Sequence, residues 1–259
     1  MRAIWTGAIG FGLVNIPVKI YSATQGSELD LDMLDKKDHS HIKFKRVNED
    51  TGKEVAWENI VKGYKLDDRY IVLTDEDFEK ASPEKTKIID ITEFVDEAEI
   101  DGMYYDTPYY LEPEKSGTKA YVLLRDALLK TGKAGFGSFV LRNKENICLI
   151  RAMEEVLVLN KLRWAQEIRP VDELNIPKGS PKPAEMKMAI ELIRSLTGKF
   201  DISSYKDTYT DELLKLIKAK AKGGKPAKPV LRVVHSPKKD LLSQLKASLQ
   251  GHGRKKAAG

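Results

Sequence analysis

The chain has 259 residues, of which 41% are hydrophobic, and it carries a net charge of +5. This size and hydrophobic content suffice for one main folded domain with a smaller appended module. Apolar runs of the roughly 18 residues that a membrane helix needs are absent from the sequence, and the N-terminus does not resemble a signal peptide, so we expect a cytoplasmic protein.

The first 21 residues have the pattern of a β-strand with one face in a core. Val14, Ile16, Val18 and Ile20 alternate with other residues at the period of two that a half-buried strand requires. Pro17 has no backbone N–H to donate, which predicts that this strand lies at a sheet edge or bends there. The preceding glycines do not form a phosphate loop because a second strand, not a helix, follows them. We interpret them as barrel-corner glycines: Gly7, Gly10 and Gly12.

A basic hairpin is predicted next. Residues 41–47 alternate so that His41, Lys43 and Lys45 share one face, and residues 53–60 would form the returning strand. The residues between them, 48–52, have turn chemistry. An arm of about thirteen residues would reach roughly 40 Å at ~3.3 Å per residue, which is comparable with half the girth of a DNA duplex. The alternative is an ordinary strand with a solvated basic face.

Further short strands are predicted at 69–74, 87–95, 136–143, 146–151 and 155–161. One helix interrupts them at 118–131, with Tyr121, Leu124 and Leu128 as its apolar stripe and Gly132 as its C-terminal cap. Cys148 is the only cysteine, and its apolar neighbours predict a buried, unreactive thiol. Many short strands with few helices favour an antiparallel barrel or sandwich.

The last third of the chain changes character. Prolines and a glycine within 168–183 predict a break, followed by helices at 183–197 and 208–222 and by a linker-like segment up to a short amphipathic stretch at 240–249. From residue 213 onward there are 13 Lys and Arg against one acid, Asp240, a net of +12, whereas residues 1–212 hold 31 basic and 38 acidic residues, a net of −7. A basic tail on an acidic body is typical of proteins that bind polyanions, although a solvated tail without a partner has the same composition.

The sequence lacks a recognisable catalytic motif. His39 and His41 have no third metal ligand at a suitable spacing, and the glycines near Lys133 lack the spacing of a P-loop. Thr74 and Asp77 resemble a helix capping box more than a metal site. We therefore expect a binding protein that is not an enzyme and has no cofactor and no metal.

Five segments, taken together and in order, resemble bacterial Ku proteins: WTGAIGFGLVNIPVKIY (5–21), WENIVKGY (57–64), TDEDF (74–78), YYLEP (109–113) and NKLRWAQEIR (160–169). The resemblance implies an α+β, mainly β fold: an antiparallel Ku-core β-barrel at 1–169 with a long inserted arm at about 36–68. A linker and minimal helical C-terminal module at 170–222 and a basic flexible extension at 223–259 would follow. Some members carry cysteines near the hairpin where this chain has Lys45 and Arg46, so we expect no metal-supported arm.

The resemblance also implies a function. Such proteins form homodimeric rings that bind double-stranded DNA ends in non-homologous end joining, at the nucleoid, and recruit a multifunctional ATP-dependent DNA ligase. Because the sequence of a broken end is arbitrary, contacts should go to phosphates and not to base edges. The alternatives are a nonspecific architectural DNA-binding protein and a nuclease. The candidate arm contacts are Lys43, Lys45, Arg46, Lys53, Lys62 and Lys65; those of the barrel are Lys19, Arg142 and Lys144; those of the C-terminal part are Lys215, Lys218, Lys220, Lys222, Lys225 and Lys228.

Overall fold

The computed structural model describes residues 1–82 and 86–223. The chain divides into two compact units, of which the first comprises Met1–Gly26 and Asp30–Pro170, and the second comprises Ser27–Leu29 and the chain from Val171 onward. A search of the described residues finds no helix with both the length and the apolar character needed to cross a bilayer.

The strands of the first unit are β1 (Trp5–Phe11), β2 (Val14–Ser22), β3 (Lys62–Leu66), β4 (Arg69–Leu73), β5 (Ile88–Asp96), β6 (Tyr105–Pro113), β7 (Lys133–Leu141), β8 (Lys144–Met153) and β9 (Val156–Leu162). Seven of them close a barrel in the order β1-β2-β6-β9-β8-β7-β5, and β3 pairs only with β4. The predicted barrel is thus confirmed. Six seams are antiparallel, but β1 pairs with β5 in parallel, from Ala8↔Ile88 to Gly10↔Asp90. Because β2 runs antiparallel to β1, it ends where β1 began; the long insertion leaves and returns at this same end, from which β5 runs parallel to β1.

The main core fills the barrel. Ile16, Val18 and Ile20 are fully buried, as the alternation predicted, whereas Val14 at the start of β2 is 39% exposed. Of the two alternatives predicted for Pro17, an edge strand or a bend, the edge is wrong, since β2 pairs with β1 on one side and β6 on the other. Pro17 itself lies just before the β2–β6 ladder, which begins at Val18↔Pro113, and its carbonyl accepts from Glu114 N at 2.9 Å. Gly117 packs against its ring, since a Cβ at Gly117 would lie 3.0 Å from Pro17 Cδ. A bulky neighbour could not occupy this position.

The helix α2 (Thr118–Thr131) matches its prediction in bounds and in contacts. Tyr121, Leu124 and Leu128 are buried in the main core. Gly132 ends the helix in the left-handed conformation, with φ of 65°, and its N–H donates to Leu128 O. Cys148 is fully buried in the same core, and desolvation raises the pKa of its thiol to about 12. This confirms that the thiol is buried, as predicted.

The predicted hairpin is confirmed only at its turn. Val47 and Glu54 form an isolated antiparallel bridge and Asn48 N donates to Lys53 O, but 41–47 and 53–60 form no continuous strands. The antiparallel ladder lies further along, between β3 and β4, of which only β4 was predicted. An alternating pattern specifies a strand when one face is buried, and no residue from 30 to 73 is buried.

Two further elements differ from the prediction or refine it. β6 was missed, and its ladder with β9 shifts register between Tyr105 and Pro108. Helix α1 (Asp75–Ala81) begins at the capping box suggested by the sequence: Asp77 N donates to the Thr74 hydroxyl, and Thr74 N donates to the Asp77 carboxylate at 2.9 Å. The hydrogen bonds that the backbone N–H and the hydroxyl of Thr74 donate to the Asp77 carboxylate lower the pKa of Asp77.

The second unit contains α3 (Pro183–Leu196) and α4 (Thr208–Ala221), which confirms both predicted helices. The proline-rich break before α3 contains only a short 3₁₀ turn at Val171–Glu173. The basic extension from residue 224, together with Lys225, Lys228 and the stretch at 240–249, lies outside the described residues.

Candidate nucleic-acid interface

Between β2 and α1 the chain forms a long exposed segment, which we call the arm (residues 30–73). None of its residues is buried. Large apolar side chains are nevertheless numerous and exposed along it: Leu31, Met33, Leu34, Ile42, Phe44, Val47, Trp57, Ile60, Val61, Tyr64, Leu66, Tyr70, Ile71 and Val72. Exposed apolar surface on this scale marks a binding face.

A compact turn within the arm holds three of the predicted cations; we call residues 45–57 the arm turn. The Asn48 carboxamide oxygen accepts from the N–H groups of Asp50 (3.1 Å) and Thr51 (2.9 Å). Gly52 supplies the left-handed residue, with φ of 64°, that a side chain would strain. Local hydrogen bonds therefore give the turn a defined shape even though none of its residues is buried.

Lys45 and Arg46 in the arm turn have different partners. Lys45 Nζ lies 2.6 Å from a Glu54 carboxylate oxygen. The Arg46 guanidinium lies over the indole of Trp57, with its carbon 4.5 Å from the ring centroid. Sequence reasoning missed both partners. In the sequence, the one signal for these pairs is that Glu54 and Trp57 follow Lys45 and Arg46 closely, on the other side of the predicted turn.

The remaining arm cations do not form one cluster. Lys43 and Lys53 are exposed and have no carboxylate within ion-pair distance among the described residues. Lys62 Nζ lies 4.7 Å from the ring centroid of Phe78 on α1. Lys65 pairs with Tyr70 in the β3–β4 ladder. Because side chains alternate along a strand and Lys65 is three residues after Lys62, the two lysines lie on opposite faces of the hairpin.

The barrel candidates are also dispersed. Lys19 is half-buried on β2, where it stands opposite Glu112 of β6. Arg142 lies in the β7–β8 turn together with Asn143, and both have positive φ, 52° and 65°, as a two-residue hairpin turn of type I′ requires. Lys144 begins β8 beside this turn. In the strand order, β2 and β7 are not neighbours, so Lys19 and Arg142 are not on adjacent strands.

Four predicted cations lie on or at the end of α4. Lys215 forms an ion pair with Glu212 at 2.7 Å, and the hydrogen bond to this carboxylate raises the pKa of Lys215. Lys218 follows on the same side of the helix, three residues later. Lys220 and Lys222 are exposed at its C-terminal end.

Within residues 1–82 and 86–223 no group of three or more His, Cys, Asp or Glu side chains is arranged to hold a metal ion. His41 Nδ1 lies 4.0 Å from Asp32, and both side chains are exposed. The described surface that stands out is therefore the arm, with its cations and apolar side chains.

Fold and surface together define a β-barrel protein with a long inserted arm. Residues 10–188 match the Ku70/Ku80 beta-barrel domain. The chain is 39% identical to the non-homologous end joining protein Ku of Cupriavidus necator over 98% of this chain and 79% of that protein. It is 42% identical to the protein of the same name from Opitutus terrae, over 86% and 82%, and 37% identical to that of Mycobacterium tuberculosis, over 98% and 97%. The chain belongs to the Ku family, as the sequence motifs indicated.

Proposed function

We propose that two copies of this chain form a ring that holds double-stranded DNA ends during non-homologous end joining. The observation that carries the proposal is the arm, which combines exposed cations with exposed apolar side chains and has no buried residue. The relatives named above carry the end-joining function in their names. The protein would act as a binding protein at the nucleoid and not as an enzyme.

The β3–β4 hairpin argues for the second copy. Tyr64 and Ile71 are paired on one of its faces, and the neighbouring pair Gly63 and Val72 lies on the other, so both faces expose apolar atoms. An isolated two-stranded sheet is only marginally stable in water. A partner arm related by a two-fold axis would cover this surface, because the same patch then serves both copies.

The exposed cations and the proposed ring both support DNA binding. Ends of any sequence must be held through phosphates, since base edges differ from break to break. Lys43 and Lys53 of the arm suit this task because their ammonium groups are exposed and unpaired among the described residues. A closed ring adds retention, so that individually weak contacts hold a duplex that can leave only by its end.

The helices of the second unit support a further partner. Met186, Ile190 and Ile193 follow one another at helical spacing on α3 and are all exposed. Such a stripe fits a protein groove. We assign it to recruitment of an ATP-dependent DNA ligase, and we assign the basic extension to added affinity for DNA outside the ring.

Linear DNA and a covalently closed circle of equal length provide the test. The ring requires a free end, so we expect tight binding to the linear form only, and light scattering should report twice the 29.2 kDa chain mass. A nonspecific architectural protein would bind both forms equally. A stable monomer that still selects ends would contradict the ring. Incubation with Mg²⁺ or Mn²⁺ should leave the DNA uncut, whereas cleavage would indicate a nuclease.

A further inference from the structure

The arm turn contains two successive cations that the structure treats differently. Lys45 forms an ion pair with Glu54, whereas the Arg46 guanidinium lies over an aromatic ring. The Val47↔Glu54 bridge and the hydrogen bond from Val55 N to Arg46 O at 2.8 Å bring the two sides of the turn together. The two cations are therefore not equivalent toward an incoming phosphate.

Glu54 competes with DNA for Lys45. The ion pair is short, at 2.6 Å, but its side chains are 69% and 58% exposed, and exposed ion pairs contribute little to stability. A phosphate could displace the carboxylate from Lys45. The displaced carboxylate would still lie beside the DNA, where its charge repels the phosphates.

Trp57 has the opposite effect on Arg46. A guanidinium stacked on an indole is held in one plane while its N–H groups at the edge stay free to donate, and the planar guanidinium matches two oxygens of one phosphate. Trp57 is itself 68% exposed, so burial does not account for its position in the turn. Its ring instead lies against the Arg46 guanidinium.

We propose that Arg46, positioned by Trp57, is a phosphate contact of the arm turn in addition to Lys53, and that Glu54 weakens the contact of Lys45 with the same DNA. This inference rests on the proposed function, because it presumes that the arm faces the duplex.

The proposed roles of Trp57 and Arg46 are tested with Trp57→Leu, Trp57→Phe and Arg46→Gln in the full-length chain. Trp57→Leu changes no charge, yet it should weaken binding to linear duplex and reduce the slope of log K against log salt by up to ~0.9 per chain, as loss of one phosphate contact does. Trp57→Phe should restore most of the slope because phenylalanine retains a π face. Arg46→Gln removes the contact itself and should lower the slope by the same amount as Trp57→Leu, and the double variant should be no worse than Arg46→Gln alone. If Trp57→Leu leaves the salt slope unchanged, or if the two substitutions lower affinity additively in the double variant, the proposed roles of Trp57 and Arg46 are overturned.

Glu54→Gln tests the proposed effect of Glu54 on Lys45. This variant should bind linear duplex roughly threefold more tightly and have a steeper slope of log K against log salt. Glu49→Gln at the tip of the same turn is the matched control, since Glu49 has no cation within ion-pair distance among the described residues. In a Lys45→Gln background the gain from Glu54→Gln should vanish. If the gain in affinity from Glu54→Gln persists in the Lys45→Gln background, or if Glu49→Gln gives the same gain, the proposed role of Glu54 is overturned.

The two proposals fail separately. If the wild-type chain does not prefer linear over circular DNA, the proposed function fails. If it does prefer linear DNA but these variants bind like wild type, only this inference fails.

Discussion

The phenol oxygen of Tyr121 lies 2.7 Å from both the backbone nitrogen of Leu157 and the carbonyl oxygen of Leu111. Leu111 and Leu157 face each other at the end of the β6–β9 ladder, so one side chain of α2 joins both strands. The ring is only 4% exposed, and burial raises the pKa of this phenol. The contact couples the helix to the closure of the barrel.

Tyr121→Phe should lower the free energy of unfolding by about 1–3 kcal/mol, because it leaves a buried N–H and a buried carbonyl without a partner. Denaturant unfolding measures the loss. Tyr209→Phe, at an exposed position on α4, is the control and should change stability by less than about 0.5 kcal/mol. Equal stabilities of the two variants would show that the Tyr121 hydroxyl contributes nothing to closing the barrel.

Gly137 allows β5 and β7 to approach closely. An alanine Cβ there would lie 1.9 Å from the Asp90 carbonyl oxygen, which is backbone and cannot rotate away. Gly137→Ala should therefore cost about 3 kcal/mol or more in stability. Gly102→Ala, where a Cβ meets open space, should fold like wild type. Thermal unfolding of the two variants checks this prediction, and a stable Gly137→Ala would mean that the seam is more deformable than its geometry indicates.

Because burial raises the pKa of the Cys148 thiol, the protein should lose stability at alkaline pH. The thiol ionises near 9.0 when unfolded but only near 12 when folded, so between these values the unfolded state gains free energy that the folded state does not. The free energy of unfolding should fall by about 1.4 kcal/mol per pH unit across this window from this group alone. Cys148→Val, which keeps a similar apolar volume, should reduce the fall. Parallel stability profiles for the two proteins between pH 8 and 11 would contradict the prediction.

Lys43→Gln with Lys53→Gln tests the arm itself. Both side chains are exposed, so stability should change by less than about 0.5 kcal/mol. If both contact phosphate, the salt slope for linear duplex should fall by up to about 1.8 per chain, equally for every end sequence. The loss should persist in a chain truncated after Lys222. Lys119→Gln with Lys130→Gln, which removes the same charge from α2, should leave the slope near wild type; equal losses from both pairs would place the DNA elsewhere.

Signals that act over a few residues were sufficient to predict much of the barrel. The alternation of Ile16, Val18 and Ile20 identified a core face, and the stripe from Tyr121 to Leu128 identified α2, because side-chain periodicity follows directly from backbone geometry. The capping box at Thr74 and the turn after Val47 were likewise local. These predictions needed no knowledge of which strands meet.

Tertiary structure alone decided the pairings. The parallel β1–β5 seam and the interior position of Pro17 depend on where the chain returns after the long insertion, and no local pattern records that. The same holds for the arm turn. The sequence predicted Lys45 and Arg46 as two equal cations, yet contacts across the turn join one to Glu54 and the other to Trp57. Charge can be counted from the sequence, but its availability to a phosphate depends on which side chains lie within a few ångströms in the fold.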